Sequence, residues 1–184
     1  MAKIITGFCM GGLLILSSLS GFSQTTVSSK RSTITAIYSS QIGVREKTGH
    51  NDGLQVERYL QAVGLDKGYA WCAAFVKWSL LKGGETNAKT INGMAASCQR
   101  KESLVFYQSK WLTTPLPADV FCLYYKSLGR IGHTGFFDGW ANKAMGTYHS
   151  VEGNTNDGGS RNGDGVYRRV RQINATHSIS RWVL

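Results

Sequence analysis

The sequence predicts an α+β domain in which helices come first and an antiparallel sheet follows. Apolar residues recur at helical spacing from Ile34 to Leu81. Beyond Pro115 and Pro117 they give way to short runs rich in aromatic and β-branched residues, separated by Gly, Asn and Asp. Helices and strands segregated in this way argue against alternating βαβ units.

The chain opens with Lys3, an apolar run from Ile4 to Leu16, and then small and polar residues, with Gly21 and Ser23 where a signal peptidase wants small side chains. Residues 1–23 therefore read as a signal peptide, cut after Ser23. The run is short and broken by glycines, so no stable membrane anchor is expected once it is removed. Of 184 residues, 184 − 23 = 161 remain, which suits one domain with a real core. Residues 24–32, mostly Thr, Ser and Gln with two basic side chains, are expected to form a flexible leader into a domain at 33–184. The expected location is the periplasm or the extracellular space.

Within that domain Ile34, Ile37, Tyr38, Gln41 and Ile42 mark a first helix. Val56, Tyr59, Leu60 and Val63 mark a second, with Asn51 and Asp52 as candidate caps and Gly64 as its end. A third spans Trp71 to Lys82, with Trp71, Ala74, Phe75, Trp78 and Leu81 on one apolar face and Gly83-Gly84 as a stop. Met94 to Gln99 has weaker helical character. Strands are predicted at Val120–Tyr125, Gly132–Phe137, Tyr148–Glu152 and Val166–Val170, and the Gly-Asn-Asp stretch from Gly153 to Asp164 is predicted as an exposed loop.

Removal of the leader takes Cys9 and leaves Cys72, Cys98 and Cys122, an odd number that flags a free thiol. Cys98 and Cys122 could pair, leaving Cys72 over, or they could be two separate buried thiols packed as small hydrophobes. Cys72 sits at the predicted start of the third helix, where the helix N-terminus favours a thiolate. By position alone a structural cysteine is an equal reading. His133 lies on a predicted strand between small neighbours, Gly132 and Gly135, that let another element approach closely. Alternation puts His133, Gly135 and Phe137 on one face, and Thr134, Phe136 and Asp138 on the other. A lone strand histidine is more often a bonded core residue than a base. Period two would also turn Glu152 and Asn154 the same way, and either could accept from the second ring nitrogen of a general base.

Four segments together resemble the CHAP domains, cysteine- and histidine-dependent amidohydrolases and peptidases related to NlpC-type cell-wall peptidases. They are Glu46 with Thr48-Gly49-His50-Asn51-Asp52-Gly53, Ala70-Trp71-Cys72-Ala73-Ala74-Phe75-Val76, Gly132-His133-Thr134-Gly135-Phe136, and Val151-Glu152-Gly153-Asn154. The likeness runs from about Ile42 to Val170. It implies a papain-like fold and hydrolysis of peptidoglycan at an amide bond, either the one joining N-acetylmuramic acid to L-alanine or one in the peptide stem or cross-bridge. By motif position it also implies Cys72 as nucleophile, His133 as base, Glu152 as the group orienting it, and Asn154 as a further polar member of the site. The family's Pro-Gly-Asp turn is Pro117-Ala118-Asp119 here, so a positive φ is not expected at that turn. Some relatives bind calcium ahead of the cysteine, but that stretch offers only Asp52 and Asp66 here, and neither a metal nor a cofactor is expected.

The formal charge is +10, or +9 without Lys3, and draws the chain towards anionic envelopes. The competing reading is a non-catalytic wall- or polyanion-binding module using Trp71, Trp78, Trp111, Trp140 and Trp182 for adhesion. Nucleic-acid binding is not expected: apart from Arg168, Arg169 and Arg171 the basic residues are scattered, and a charged strand edge explains that cluster as well. Gln41 could offer an oxyanion donor, although a helix-surface residue is the simpler reading. A monomer is expected.

Overall fold

A computed structural model describes residues 16–156, 158 and 163–184. The predicted α+β class holds. Among the described residues three α-helices, α1 (Leu16–Ser40), α2 (Leu54–Ala62) and α3 (Cys72–Lys82), precede seven strands: β1 (Leu104–Tyr107), β2 (Lys110–Trp111), β3 (Asp119–Tyr125), β4 (Arg130–Asn142), β5 (Thr147–Thr155), β6 (Gly165–Gln172) and β7 (Ser178–Ser180). All neighbours in the sheet are antiparallel, in the order β2-β1-β7-β3-β4-β5-β6.

The helix α3 forms the centre of the core. Cys72 to Val76, Ser79 and Leu80 are buried while Trp78 and Leu81 are only partly covered, so it is enclosed on most sides instead of presenting the single apolar face expected. The enclosure has a cause in composition: Ala73 and Ala74 are small, and α1, α2 and strands β4 and β5 all pack against this helix. Gly153 on β5 permits a close approach, because a Cβ there would lie 2.7 Å from both Phe75 Cβ and the Trp71 ring. Tyr59 packs against Trp71, Phe75 and Trp78, and Phe136 stacks on Tyr38 with ring centroids 4.5 Å apart. A second cluster, including Phe106, Phe121, Phe137, Tyr148 and Ile179, fills the other side of the sheet. Phe136 and Phe137 enter different clusters, as alternation along β4 requires.

The expected leader at 24–32 is corrected, because those residues lie within α1. Arg31 is buried, donates to Asp119 Oδ1 at 3.0 Å and to the carbonyls of Pro117 and Val183, and so fastens α1 to both β3 and the C-terminal segment. A guanidinium held by three acceptors cannot belong to a loose tether. Cys9 and the other residues before Leu16 lie outside the described residues, and α1 continues across the position predicted for signal cleavage.

Three local expectations also change. Neither Asn51 nor Asp52 caps α2: Gly53 is the N-cap, Glu57 reaches back to the Gly53 N–H at 3.2 Å, and Asp52 instead accepts from the Thr48 N–H and hydroxyl. Ala118 does adopt a left-handed backbone, with φ 70°, so the turn keeps its conformation without the glycine. Asp119 explains how: its carboxylate accepts from the Leu116 N–H at 2.9 Å, closing the turn around Ala118. Of the predicted exposed loop, Gly153 to Thr155 and Gly163 are buried, because β5 runs three residues further than expected.

Candidate active site

Cys72 is the first residue of α3, and nearly all of it is covered. The backbone ahead of it is fixed by the motif segments around Glu46 and Asn154. Trp71 donates its indole N–H to Glu46 Oε1 at 2.8 Å, and Glu46 Oε2 accepts from the Asn51 N–H at 2.9 Å. Asn154 Oδ1 accepts from the Trp71 N–H at 3.4 Å, while its amide group donates to Asn51 Oδ1 at 2.9 Å and to the Gly163 carbonyl at 3.2 Å. Asn154 adopts φ 56°, a conformation asparagine tolerates better than other non-glycine residues, and pairing of β5 with β6 is irregular from Glu152 to Thr155. The alternation that would have aimed Glu152 and Asn154 alike is broken there. Asn154 positions the start of the cysteine helix, and Glu152 serves a different partner.

That partner is His133. On β4 the residues pairing with Leu123 and Tyr124 are His133 and Ile131, leaving Gly132 as an extra residue, a bulge directly before the histidine. The Nε2 atom of His133 lies 2.7 Å from Glu152 Oε2. Gly135 makes this possible: a Cβ there would fall 2.8 Å from Glu152 Cγ and 2.9 Å from the Phe121 ring. The second ring nitrogen, Nδ1, is buried and has no hydrogen bond among the described residues. With Nε2 taken, Nδ1 is the nitrogen left for Cys72, whose thiol is among the groups that shift the ring's proton affinity.

The electrostatics follow from these neighbours. Burial alone would lower the imidazole pKa, but interaction with the Cys72 thiol, and the hydrogen bond and charge of Glu152, outweigh it and hold the pKa above the ordinary value. Burial alone would raise the Glu152 carboxyl. Hydrogen bonds from Arg171 and His133 overcome that and hold it well below the usual carboxylate range. Arg171 grips Glu152 with both ends of its fork, Nε to Oε1 at 2.7 Å and Nη2 to Oε2 at 2.6 Å, and the Ser150 hydroxyl donates to Oε1 at 2.5 Å.

The structure thus brings Cys72, His133 and Glu152 into one chain of contacts and places Asn154 beside it as a clamp. Arg171 and Ser150 were missed. In the sequence Arg171 belongs to a basic cluster that a charged strand edge explains, and β6 is indeed an edge strand. The available signal was Glu152 itself, since a carboxylate placed inside a core demands a cation. Gln41 is occupied elsewhere, accepting from the Tyr59 hydroxyl at 2.7 Å and donating to Ser40. Cys98 and Cys122 are free, fully buried thiols; burial pushes Cys122 up to about 12 and Cys98 well above its ordinary value, which suits packing and not nucleophilic attack. No cluster of three or more His, Cys, Asp or Glu side chains among the described residues could hold a metal ion. Of the five tryptophans, Trp71 and Trp182 are core residues, while Trp111 and Trp140 meet at 5.6 Å beside Lys143 in a cavity of about 480 Å³. Among the described residues no helix is long and apolar enough to cross a membrane. No protein-family model, curated protein or solved structure matches this chain.

Proposed function

We propose that this chain is an exported cysteine hydrolase of papain-like architecture that cleaves an amide bond in peptidoglycan. One observation carries the reading: a buried imidazole is held at Nε2 by a buried carboxylate, and its other nitrogen is left to a thiol at the first turn of a helix. The peptidoglycan substrate rests on the resemblance of the four motif segments to CHAP domains.

In this mechanism His133 takes the Cys72 proton, and the thiolate attacks the amide carbonyl carbon, forming a carbon–sulfur bond while the carbonyl electrons move to oxygen. Backbone N–H groups at the start of α3, that of Cys72 among them, donate hydrogen bonds to the oxyanion. The carbon–nitrogen bond then breaks as His133 protonates the leaving amine. Neutral His133 next takes a proton from water, which attacks the thioester, and returns it to the departing thiolate. Glu152 holds the ring in one tautomer and one orientation throughout.

Mass spectrometry of fragments released from purified peptidoglycan tests the reading and identifies the bond. Release of fragments carrying new amine and carboxyl ends by the wild type, and none by Cys72→Ala, is the expected result. Equal release by both proteins, or by neither, contradicts it.

A further inference from the structure

We infer that Arg171 is a positioning residue of the same site, acting through Glu152 to fix the hydrogen bond that orients His133. The inference rests on the proposed hydrolase reading and adds a residue that the CHAP-like motifs do not contain. Glu152 is fully buried, and a carboxylate there has freedom to rotate about its terminal torsion unless both oxygens are engaged. Arg171 engages both, Nε at 2.7 Å from Oε1 and Nη2 at 2.6 Å from Oε2. This two-pronged contact fixes the carboxylate plane, which one point charge would not do. The Ser150 hydroxyl adds a second contact on Oε1, and Oε2 is shared between Arg171 and His133. The geometry therefore runs without a break from β6 through β5 to β4: Arg171, Glu152, His133, and on to Cys72.

Placement on the sheet supports this. Arg171 pairs in register with Tyr148, four residues before Glu152, so its side chain must run along the strand to reach the carboxylate. Its exposed neighbours on β6, Val170 and Gln172, have no such destination. The charged and titratable groups around the assembly are few. The carboxylate meets Arg171 and His133, the imidazole meets Glu152 and Cys72, and the guanidinium faces Glu152, Tyr148 and Tyr125. Burial drives the Tyr148 hydroxyl further up, so it stays neutral at working pH. Among the described residues Arg171 is the one permanent cation hydrogen-bonded to Glu152. It offsets the carboxylate's charge, so that His133 can surrender its proton to a leaving amine and not stay locked as an imidazolium.

Two variants separate the charge from the fork. In Arg171→Met the cation is gone, so every neighbouring proton is held more tightly. The His133 titration, followed by NMR on histidine-labelled protein, is expected to move to higher pH by about one pH unit, a tenfold change in proton affinity, and peptidoglycan turnover at neutral pH to fall at least about tenfold. In Arg171→Lys the charge remains and the bidentate grip is lost. The titration should then stay close to wild type while kcat falls several-fold with KM unchanged. A residue that merely supports the fold would lower the melting temperature of both variants and leave the His133 titration and kcat where they were. That pattern overturns the inference, and if Arg171→Met does not fold, wild-type kcat in Arg171→Lys overturns it alone. Because the titration needs no substrate, a wild type that fails to cut peptidoglycan defeats the hydrolase reading, whereas an unmoved titration in Arg171→Met defeats this one.

Discussion

Two buried carboxylates in this molecule are each held by two basic side chains, and the pairs differ in one partner. Asp119, at the start of β3, is gripped by Arg31 from α1 at 3.0 Å and by Arg181 from the C-terminal segment at 3.1 Å. Glu152, on β5, is gripped by Arg171 at 2.6 Å and by His133 at 2.7 Å. Both carboxylates are shut away from solvent. Around Asp119 neither partner can release a proton, so the cluster is a fastening: it joins α1, the turn at Ala118 and the chain end. Around Glu152 one guanidinium is replaced by an imidazole that can gain or lose a proton, and the Cys72 thiol influences that imidazole's proton affinity. The exchange of one cation type turns a fastening into a group that can move protons.

Breaking each centre should have different consequences. Asp119→Ala strands the buried Arg31 charge and opens the Leu116 turn, and is expected to cost about 3 to 5 kcal/mol in urea unfolding. Turnover per folded molecule should stay within a few-fold of wild type; a large loss of kcat in the folded fraction would mean that the two centres are not separate. Glu152→Gln keeps the size of the side chain but removes the negative charge, and kcat should drop on the order of 10²-fold or more, with the fold retained. Wild-type kcat in that variant would remove Glu152 from the site.

The pH dependence of stability sharpens the contrast. His133 binds its proton more tightly when folded, so its contribution is complete below the ordinary value of 6.5 and is lost as pH rises through the elevated folded value. Glu152 has its folded pKa depressed, so its contribution is present above 4.5 and is lost as pH falls through the lower folded value. Urea midpoints measured across this range should form a plateau between those limits, with a decline on the alkaline side that His133→Ala removes. The smallest effect is at the Asp119 turn. Ala118→Gly relieves a left-handed alanine and should raise stability by about 0.5 to 1 kcal/mol; a loss of stability would show that the turn bears no strain.

The elements that form the site were legible because each has its own local period. The start of α3, the strand bearing His133 and the strand bearing Glu152 follow from helical or alternating spacing, with boundaries short by a few residues. Strands β1, β2 and β7 were not foreseen: they are two to four residues long and are held by pairing with distant segments, which leaves no periodic trace. The role of Arg31 was hidden because polar composition around it resembles a tether, and only the fold reveals the carboxylate and carbonyls waiting for it. Asn154 was placed beside the imidazole by strict alternation, and a left-handed backbone at that same residue turned it to the helix start. Arg171 escaped for a related reason, since its partner lies four residues along the neighbouring strand.

The coupling of Cys72 to His133 carries the whole account, and the His133 ring titration measures it directly. Recorded by NMR in the wild type and in Cys72→Ala, the two curves should separate: loss of the thiol removes an interaction that favours the protonated ring, so the His133 pKa falls in the variant. Superimposed curves in two folded proteins would show that the thiol and the imidazole do not communicate, and the proposed chemistry would have no basis.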